Sequence, residues 1–331
     1  MTGTTLDIIA IGNAIVDVIA QADDAFIANE GIAKGSMRLI DPETAEGLYS
    51  RMGPGREISG GSAANTVAGI AALGGKCGFI GQVAEDQLGT VFAHDIRAVG
   101  VVYNTMSRRG DPSTARCLIL VTPDGQRTMN TFLGASQFLP EAALDRELIA
   151  SAAILYLEGY LWDPEEPRAA MRAAIDVARG AGRKVAFTLS DAFCIERHRG
   201  DFNRLMEEGL IDILFANEAE ILSLAQTDDF EAAVATTAAK VPLLVVTRGA
   251  HGAIALKDGA RFAVPAEPIA RIVDTTGAGD LFAAGFLAGQ TQGRSVQDSL
   301  TMGAIAAAEV ISHYGARPEA DLNELIAARL G

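Results

Sequence analysis

Short, wholly apolar runs alternate with helix-compatible segments along most of this chain, and that alternation restricts the fold more than any other feature. Leu6–Ile11, Lys76–Ile80, Ile154–Glu158, Lys184–Leu189, Ile213–Ala216 and Leu243–Thr247 read as strands, several of them apolar on both faces. Ala63–Leu73, Gln87–Val99, Pro167–Arg179, Glu218–Ala225 and Glu231–Ala239 read as helices between them. Such alternation predicts an α/β fold with right-handed crossovers, in which helices cover both faces of a mainly parallel central sheet. After Leu281 the pattern is helical over Leu281–Gln290, Ser295–Ser312 and Asp321–Leu330.

Two regions break the rhythm. Ile15–Ile58 alternates apolar and polar residues in short pieces, with turn signals at Asn29-Glu30-Gly31, Lys34-Gly35-Ser36 and Asp41-Pro42. Within Tyr103–Leu133, Ala115–Val121 and Arg127–Leu133 flank Pro123-Asp124-Gly125-Gln126, a hairpin pattern. Strands from these separate regions are expected to pair into a small β-sheet lid over the carboxyl ends of the large sheet, where open α/β sheets bind ligands. The plainer reading is a pair of peripheral hairpins. The expected division is a large α/β nucleotide-binding and catalytic domain from 1–14, 59–102 and 134–331, and a small β lid domain from 15–58 and 103–133.

At 331 residues and 49% hydrophobic content the chain can build a sizeable core. Its 42 acidic and 27 basic residues give a formal charge of −15, which argues against nucleic acid and anionic membranes as partners. An anionic substrate must then be held by local devices: helix N-termini, a metal ion or a few arginines. Cys77, Cys117 and Cys194 are odd in number and far apart, as for buried thiols in a reducing compartment. The four histidines show no zinc-binding spacing. Met1–Leu6 lacks a leader pattern, and no apolar run approaches the roughly 20 residues that span a bilayer. A cytoplasmic location is expected.

The chemistry concentrates in Asp274-Thr275-Thr276-Gly277-Ala278-Gly279-Asp280, between a strand-like segment, Pro268–Val273, and the helical run from Leu281. The first N–H groups of a helix lack internal partners and attract anions. Gly277 and Gly279 admit a bulky anion to the backbone. Asp280 makes sense there as a proton acceptor, so the turn combines donors for developing charge with a base for an attacking hydroxyl. Gly60-Gly61-Ser62-Ala63-Ala64-Asn65 opens a second helix; Asn65 offers a donor and an acceptor suited to sugar hydroxyls. Asp17, among β-branched residues, is suited to gripping vicinal hydroxyls. Thr247 and Gly249, in Thr247-Arg248-Gly249-Ala250-His251-Gly252, suit a nucleotide's phosphates or ribose. Asn217 and Glu220 suit the water shell of Mg²⁺. Arg127, at the tip of the hairpin, is placed to meet a transferring phosphoryl group. Each pattern has a plainer reading: an ordinary αβ turn, a loop with a buried Asn, an edge-strand carboxylate, a hairpin turn, a helix first turn, a surface arginine. There is no P-loop, and Ile11-Gly12-Asn13-Ala14 lacks the dinucleotide fingerprint.

Taken in order, these segments resemble the ribokinase-like (PfkB) family of carbohydrate kinases over essentially the whole chain. DTTGAGDLFAAGFL (Asp274–Leu287) is similar to the family's C-terminal signature, GGSAAN to its N-terminal one, with Val67 where a small residue is common, and NEAE (Asn217–Glu220) to its N-x-x-E motif. Gly12-Asn13 with Asp17, KGSMRLID (Lys34–Asp41), FTLSDAF (Phe187–Phe193) and DILFANEAE (Asp212–Glu220) resemble adenosine and related nucleoside kinases most.

The resemblance implies that Asp280 is the general base and that the amides of Gly277, Ala278 and Gly279 form the anion hole. It implies that Asp17, Gly61 and Asn65, with Asn13 beside them and Gly60 and Ser62 in the same loop, hold ribose hydroxyls. Thr247, Gly249, Gly252 and Ala307 would contact ATP, with Arg127 on its phosphates. Cys117, Phe132, Leu133 and Tyr160 would surround the base; Tyr160 stands where adenosine kinases usually carry Phe, adding a polar handle. Asp274 and Thr276 would form half of a monovalent-cation (K⁺) site. The expected activity is ATP- and Mg²⁺-dependent phosphorylation of a nucleoside 5′-hydroxyl by a monomer or homodimer. The alternatives are a sugar kinase acting on ribose, fructose or a related sugar and, from another class, a non-catalytic nucleoside-binding regulator.

Overall fold

The computed structural model describes residues 5–331; residues 1–4, part of the stretch read for a leader, lie outside it. Among the described residues no helix is long and apolar enough to cross a membrane.

In chain order the elements are β1 (Leu6–Ile11), β2 (Ile15–Gln21), α1 (Asp24–Asn29), β3 (Met37–Leu39), α2 (Pro42–Arg51), β4 (Gly55–Gly60), α3 (Ser62–Ala72), β5 (Cys77–Ile80), α4 (Gln87–Ala98), β6 (Val102–Tyr103), β7 (Ala115–Val121) and β8 (Arg127–Phe132). There follow α5 (Arg146–Ser151), β9 (Ala152–Glu158), α6 (Glu165–Gly180), β10 (Lys184–Thr188), α7 (Ala192–Glu207), β11 (Ile213–Asn217), α8 (Glu218–Ala225), α9 (Phe230–Ala238), β12 (Leu243–Thr247), β13 (Ala253–Lys257), β14 (Ala260–Val264), α10 (Ala278–Thr291), α11 (Val296–Val310) and α12 (Leu322–Leu330).

The large sheet has nine strands in the order β14-β13-β12-β11-β10-β9-β1-β5-β6, parallel from β12 to β6, with β13 and β14 antiparallel at one edge. Strand alternation divides its apolar residues between two cores. Ile8 and Ala10 pack with α3, α10 and α11 on one face; Ile9 and Ile11 pack with α6, α7 and α8 on the other. The parallel strands deliver Glu158 and Thr188, and likewise Asn217 and Thr247, in matching register at their carboxyl ends.

The second sheet has five strands in the order β3-β8-β7-β2-β4, drawn from both irregular regions. Its register sets Leu39, Thr131, Cys117, Asp17 and Ile58 in one row across neighbouring strands.

Three expectations change. Pro268–Val273 is not a strand: Pro268 has no N–H to pair, and the amides of Val273 and Asp274 donate to Ile311 O at the end of α11 instead. Asp41-Pro42 is not a loop turn. The Asp41 carboxylate accepts from Thr44 N–H and caps α2, with Pro42 in the first turn, where its missing N–H costs nothing. Tyr103 pairs with Phe79 in the large sheet, so the chain leaves for the small sheet after it.

Candidate active site

A cleft of about 710 Å³ lies between the small sheet and the carboxyl ends of the large one. At its floor is Asp280, in the first turn of α10. Its Oδ1 accepts from the Ser62 hydroxyl at 2.6 Å and its Oδ2 from Asn65 Nδ2 at 3.0 Å. Gly277 caps α10 in the left-handed region (φ 77°) with no side-chain cap, so the helix N-terminus faces the cleft bare. Ala278 N–H donates to Thr275 O at 3.2 Å, whereas the Gly277 and Gly279 amides carry no such bond among the described residues.

The residues expected to meet sugar hydroxyls lie around the same point. Asp17 faces the cleft, and a methyl group on Gly60 would lie 2.5 Å from its carboxylate, so Gly60 stands behind Asp17 and does not line the space. Gly61 (φ 99°) has no room for a side chain, since a Cβ would fall 2.2 Å from Asn13 O. Asn65 is buried and its Oδ1 has no partner, which leaves an acceptor for a hydroxyl donor. Asn13 is fixed by Glu158: its N–H and Nδ2 donate to Glu158 Oε1 at 2.6 and 2.7 Å, and Ala63 N–H donates to Oε2 at 2.8 Å. Sequence reasoning missed Glu158; the signal was a lone carboxylate ending an apolar strand.

The walls follow strand alternation. Met129 and Thr131 of β8, and Leu133 just beyond it, line the cleft; Phe132 points away and packs beside Arg116. The expectation that Phe132 and Leu133 both meet a ligand is therefore corrected. Cys117 and Tyr160 line the cleft, as do Ile15, Met37 and Phe193.

Of the residues expected to meet a nucleotide or a cation, Asn217, Glu220, Thr247 and Thr276 line the cleft, whereas Gly249, Gly252 and Ala307 do not. Gly249 and Gly252 belong to the turn that joins β12 to β13, and Ala307 packs against the core. Asn217 and Glu220 form a capping box: Asn217 Oδ1 accepts from Glu220 N–H at 2.8 Å, and the Glu220 carboxylate accepts from Asn217 N–H at 2.9 Å and from Nδ2 at 2.7 Å. Arg127 is not at an exposed tip. Its side chain is 6% exposed, 2.8 Å from Asp274 Oδ2, with its guanidinium 5.4 Å from the centre of the Tyr314 ring. That contact is an ion pair without good hydrogen-bond alignment, since Nε, Nη1 and Nη2 all lack a partner. Asp274 also accepts from Thr276 N–H at 3.1 Å and Gly315 N–H at 3.1 Å, so its carboxylate faces protein donors where a monovalent cation was expected.

Burial dominates the electrostatics. It pushes the Asp17 carboxyl up to about 7 against Arg317 and Arg127, and the Glu158 carboxyl up to about 7 against its N–H donors. Glu220 is likewise pushed up to about 7. Asp280 is raised by burial, and the bonds from Ser62 and Asn65 oppose the rise.

This is the arrangement of an enzyme that transfers a phosphoryl group to an alcohol. Residues 8–322 match the pfkB family of carbohydrate kinases, and the chain belongs to that family. It is similar to a probable sugar kinase of Rhizobium etli CFN 42 (TM-score 0.92, 50% identity, 98% of each chain). It is also similar to the adenosine kinase of Sinorhizobium meliloti (TM-score 0.90, 48% identity, 98% of each chain). A fructokinase of Klebsiella pneumoniae is 30% identical over 243 residues, covering 72% of this chain and 79% of its own.

Proposed function

We propose that this kinase phosphorylates the 5′-hydroxyl of a nucleoside with ATP, Asp280 serving as general base. The observation that carries the reading is the Asp280 carboxylate, held by Ser62 and Asn65 at the bare N-terminus of α10 inside the cleft. Asp280 accepts the hydroxyl proton as the oxygen attacks the γ-phosphoryl group in line. Charge on that group is met by the Gly277 and Gly279 amides and the helix N-terminus, which need no reorganisation during the step. Burial raises the Asp280 carboxyl above its ordinary value, which strengthens it as a proton acceptor.

The sugar hydroxyls are assigned to Asp17 and to the free Asn65 Oδ1. Ile15, Met37, Cys117, Met129, Leu133 and Tyr160 continue the cleft as a mostly apolar wall, which suits a heterocyclic base better than open water. The similarity to an adenosine kinase over 98% of both chains supports a purine nucleoside. The second reading, a free sugar as acceptor, is supported by the equally extensive similarity to a sugar kinase.

Among the described residues no group of three or more His, Cys, Asp or Glu side chains is arranged to hold a metal directly. Asn217 and Glu220 line the cleft yet cap α8, which fits a hydrated Mg²⁺ held through its waters. When bound with ATP, that ion neutralises triphosphate charge. We place Asn217, Glu220 and Thr247 beside the triphosphate, and Arg127 and Asp274 behind it.

A panel of nucleosides and free sugars in a coupled ADP assay tests the reading, with Asp280→Asn as the decisive variant. The expected loss in kcat is about 10²–10⁴-fold. A folded Asp280→Asn enzyme as active as its parent excludes Asp280 as the base, and preference for a free sugar over every nucleoside selects the second reading.

A further inference from the structure

The segment after α11 turns back beneath the helix N-terminus and touches both the α10 turn and the turn that opens α3. Gly315 N–H donates to Asp274 Oδ2. Ala316 packs under Gly277 so closely that a Cβ there would lie 2.6 Å from the Ala316 methyl. Arg317 then reaches across: Nη1 donates to Ala64 O at 2.8 Å, and Nη2 to Ser59 O at 2.7 Å and Ser59 Oγ at 2.9 Å. Ser59 and Ala64 bracket Gly60, Gly61 and Ser62, the turn that opens α3. From the other side Asp95 Oδ2 accepts from Ser59 N–H at 2.7 Å.

We propose that Arg317 is a positioning residue that clamps the Ser59–Ala64 turn against the α10 N-terminus, so that Ser62 and Asn65 hold the Asp280 carboxylate correctly aimed. The inference rests on Asp280 being the base. A guanidinium suits the task because its planar fork meets Ala64 O from one nitrogen and Ser59 O and Oγ from another, a spread that the single nitrogen of an ammonium does not reproduce. Its charge faces Asp95 of α4, Asp17 of β2 and Asp280 of α10. Burial lowers Arg317 to about 10, and those carboxylates oppose the fall. Asp280 in turn faces Asp17 from β2, Tyr156 and Glu158 from β9 and Tyr160 just after it, all anionic or neutral. Arg317 is the cation that favours its charged form.

The test compares Arg317→Met, Arg317→Lys and Asp280→Asn with the parent, each characterised by kcat, KM and the pH profile of kcat/KM, with adenosine and ATP as the probe pair. Arg317→Met is expected to lower kcat by about 10²-fold through misplacement of the base. It should also move the acid limb of the profile upward by about one pH unit, because a nearby cation no longer favours the carboxylate. Arg317→Lys is expected to keep the limb in place and still lose kcat, since charge is retained and the fork is not. A Lys variant with parental kcat, or a folded Met variant whose acid limb has not moved, overturns the inference. An active Asp280→Asn enzyme overturns the base assignment instead, so the two failures are distinct. If Arg317→Met does not fold, the Lys variant alone decides.

Discussion

Gly277 and Gly279 occupy one turn, yet a methyl group added at each meets different surroundings. At Gly277 the backbone is left-handed (φ 77°), and a Cβ would lie 2.6 Å from Ala316 Cβ and 3.0 Å from its Cα. Left-handed backbone costs Ala about 1–2 kcal/mol. The overlap is with Ala316 Cβ and Cα, which move only with their backbone, and is worth about 1–3 kcal/mol more. Gly277→Ala should therefore lose about 2–5 kcal/mol, which for a chain of this size lowers Tm by roughly 3–7 °C. A turn that relaxes to escape the clash must swing its amides, and each lost donor costs about 10²–10³ in kcat. At Gly279 a Cβ meets nothing within 4 Å, and φ is not in the left-handed region. Gly279→Ala should keep Tm or raise it slightly, since Ala is favoured over Gly in a helix by about 1 kcal/mol. It should still lose activity, because the space its methyl fills is where the phosphoryl group is assigned. Differential scanning fluorimetry and a coupled ADP assay on both variants separate the two effects. A Gly279→Ala enzyme with parental kcat and KM for ATP refutes the assignment of that space.

Three further outcomes follow from the geometry. Asp274→Asn leaves Arg127 buried without its ion-pair partner and should lose about 3–5 kcal/mol in urea unfolding; an unchanged midpoint contradicts this. Leu133→Ala should raise KM for the nucleoside about tenfold or more through lost apolar contact. Phe132→Ala should cost about 3–5 kcal/mol of stability and leave KM unmoved, so reversed effects would contradict the assigned faces of β8. Asp17 has a folded pKa of about 7, above its unfolded value of 3.8, so its contribution to stability is present at low pH and lost as pH rises toward 7. Asp17→Asn should match the parent in unfolding free energy near pH 4 and exceed it by about 4 kcal/mol above pH 7, while losing nucleoside binding; a constant gap across pH contradicts the buried carboxyl.

What the sequence disclosed was mostly local. The Asp274–Asp280 turn and the Gly60–Asn65 turn were legible because a glycine pair before a helix has consequences within a few residues. The strands were legible because a sheet covered on both faces requires apolar runs. The row that sets Asp17 beside Cys117 and Thr131 was not, because it needs the register of strands far apart in the chain. Arg127 looked free because its partner, Asp274, lies in the other region. Glu158 and Arg317 were missed for the same reason: each is defined by distant backbone groups. Pro268–Val273 misled because an apolar run also suits a segment pinned to the end of α11.

The charge inventory favours a backbone device for the anion we propose at this site. Asp17, Glu158, Asp191, Glu220 and Asp280 line one cleft of a chain whose formal charge is −15. Strong side-chain cations at the transfer point would pair with these carboxylates, as Arg127 pairs with Asp274 and as Arg317 faces Asp17 and Asp280. Peptide N–H groups carry only partial charge and are fixed by the α10 turn, so they can face an anion without quenching a base one residue away. Burial helps from the other direction, because it pushes the Asp17, Glu158 and Glu220 carboxyls up to about 7 and so disfavours their charged forms. The cleft is then less negative than its composition suggests. Arg38 and Arg197 also line the cleft, but each is bonded to a neighbour, Asn130 and Asp163, so the anion proposed at the α10 turn depends on the backbone geometry that Ala316 and Arg317 pack and bond against.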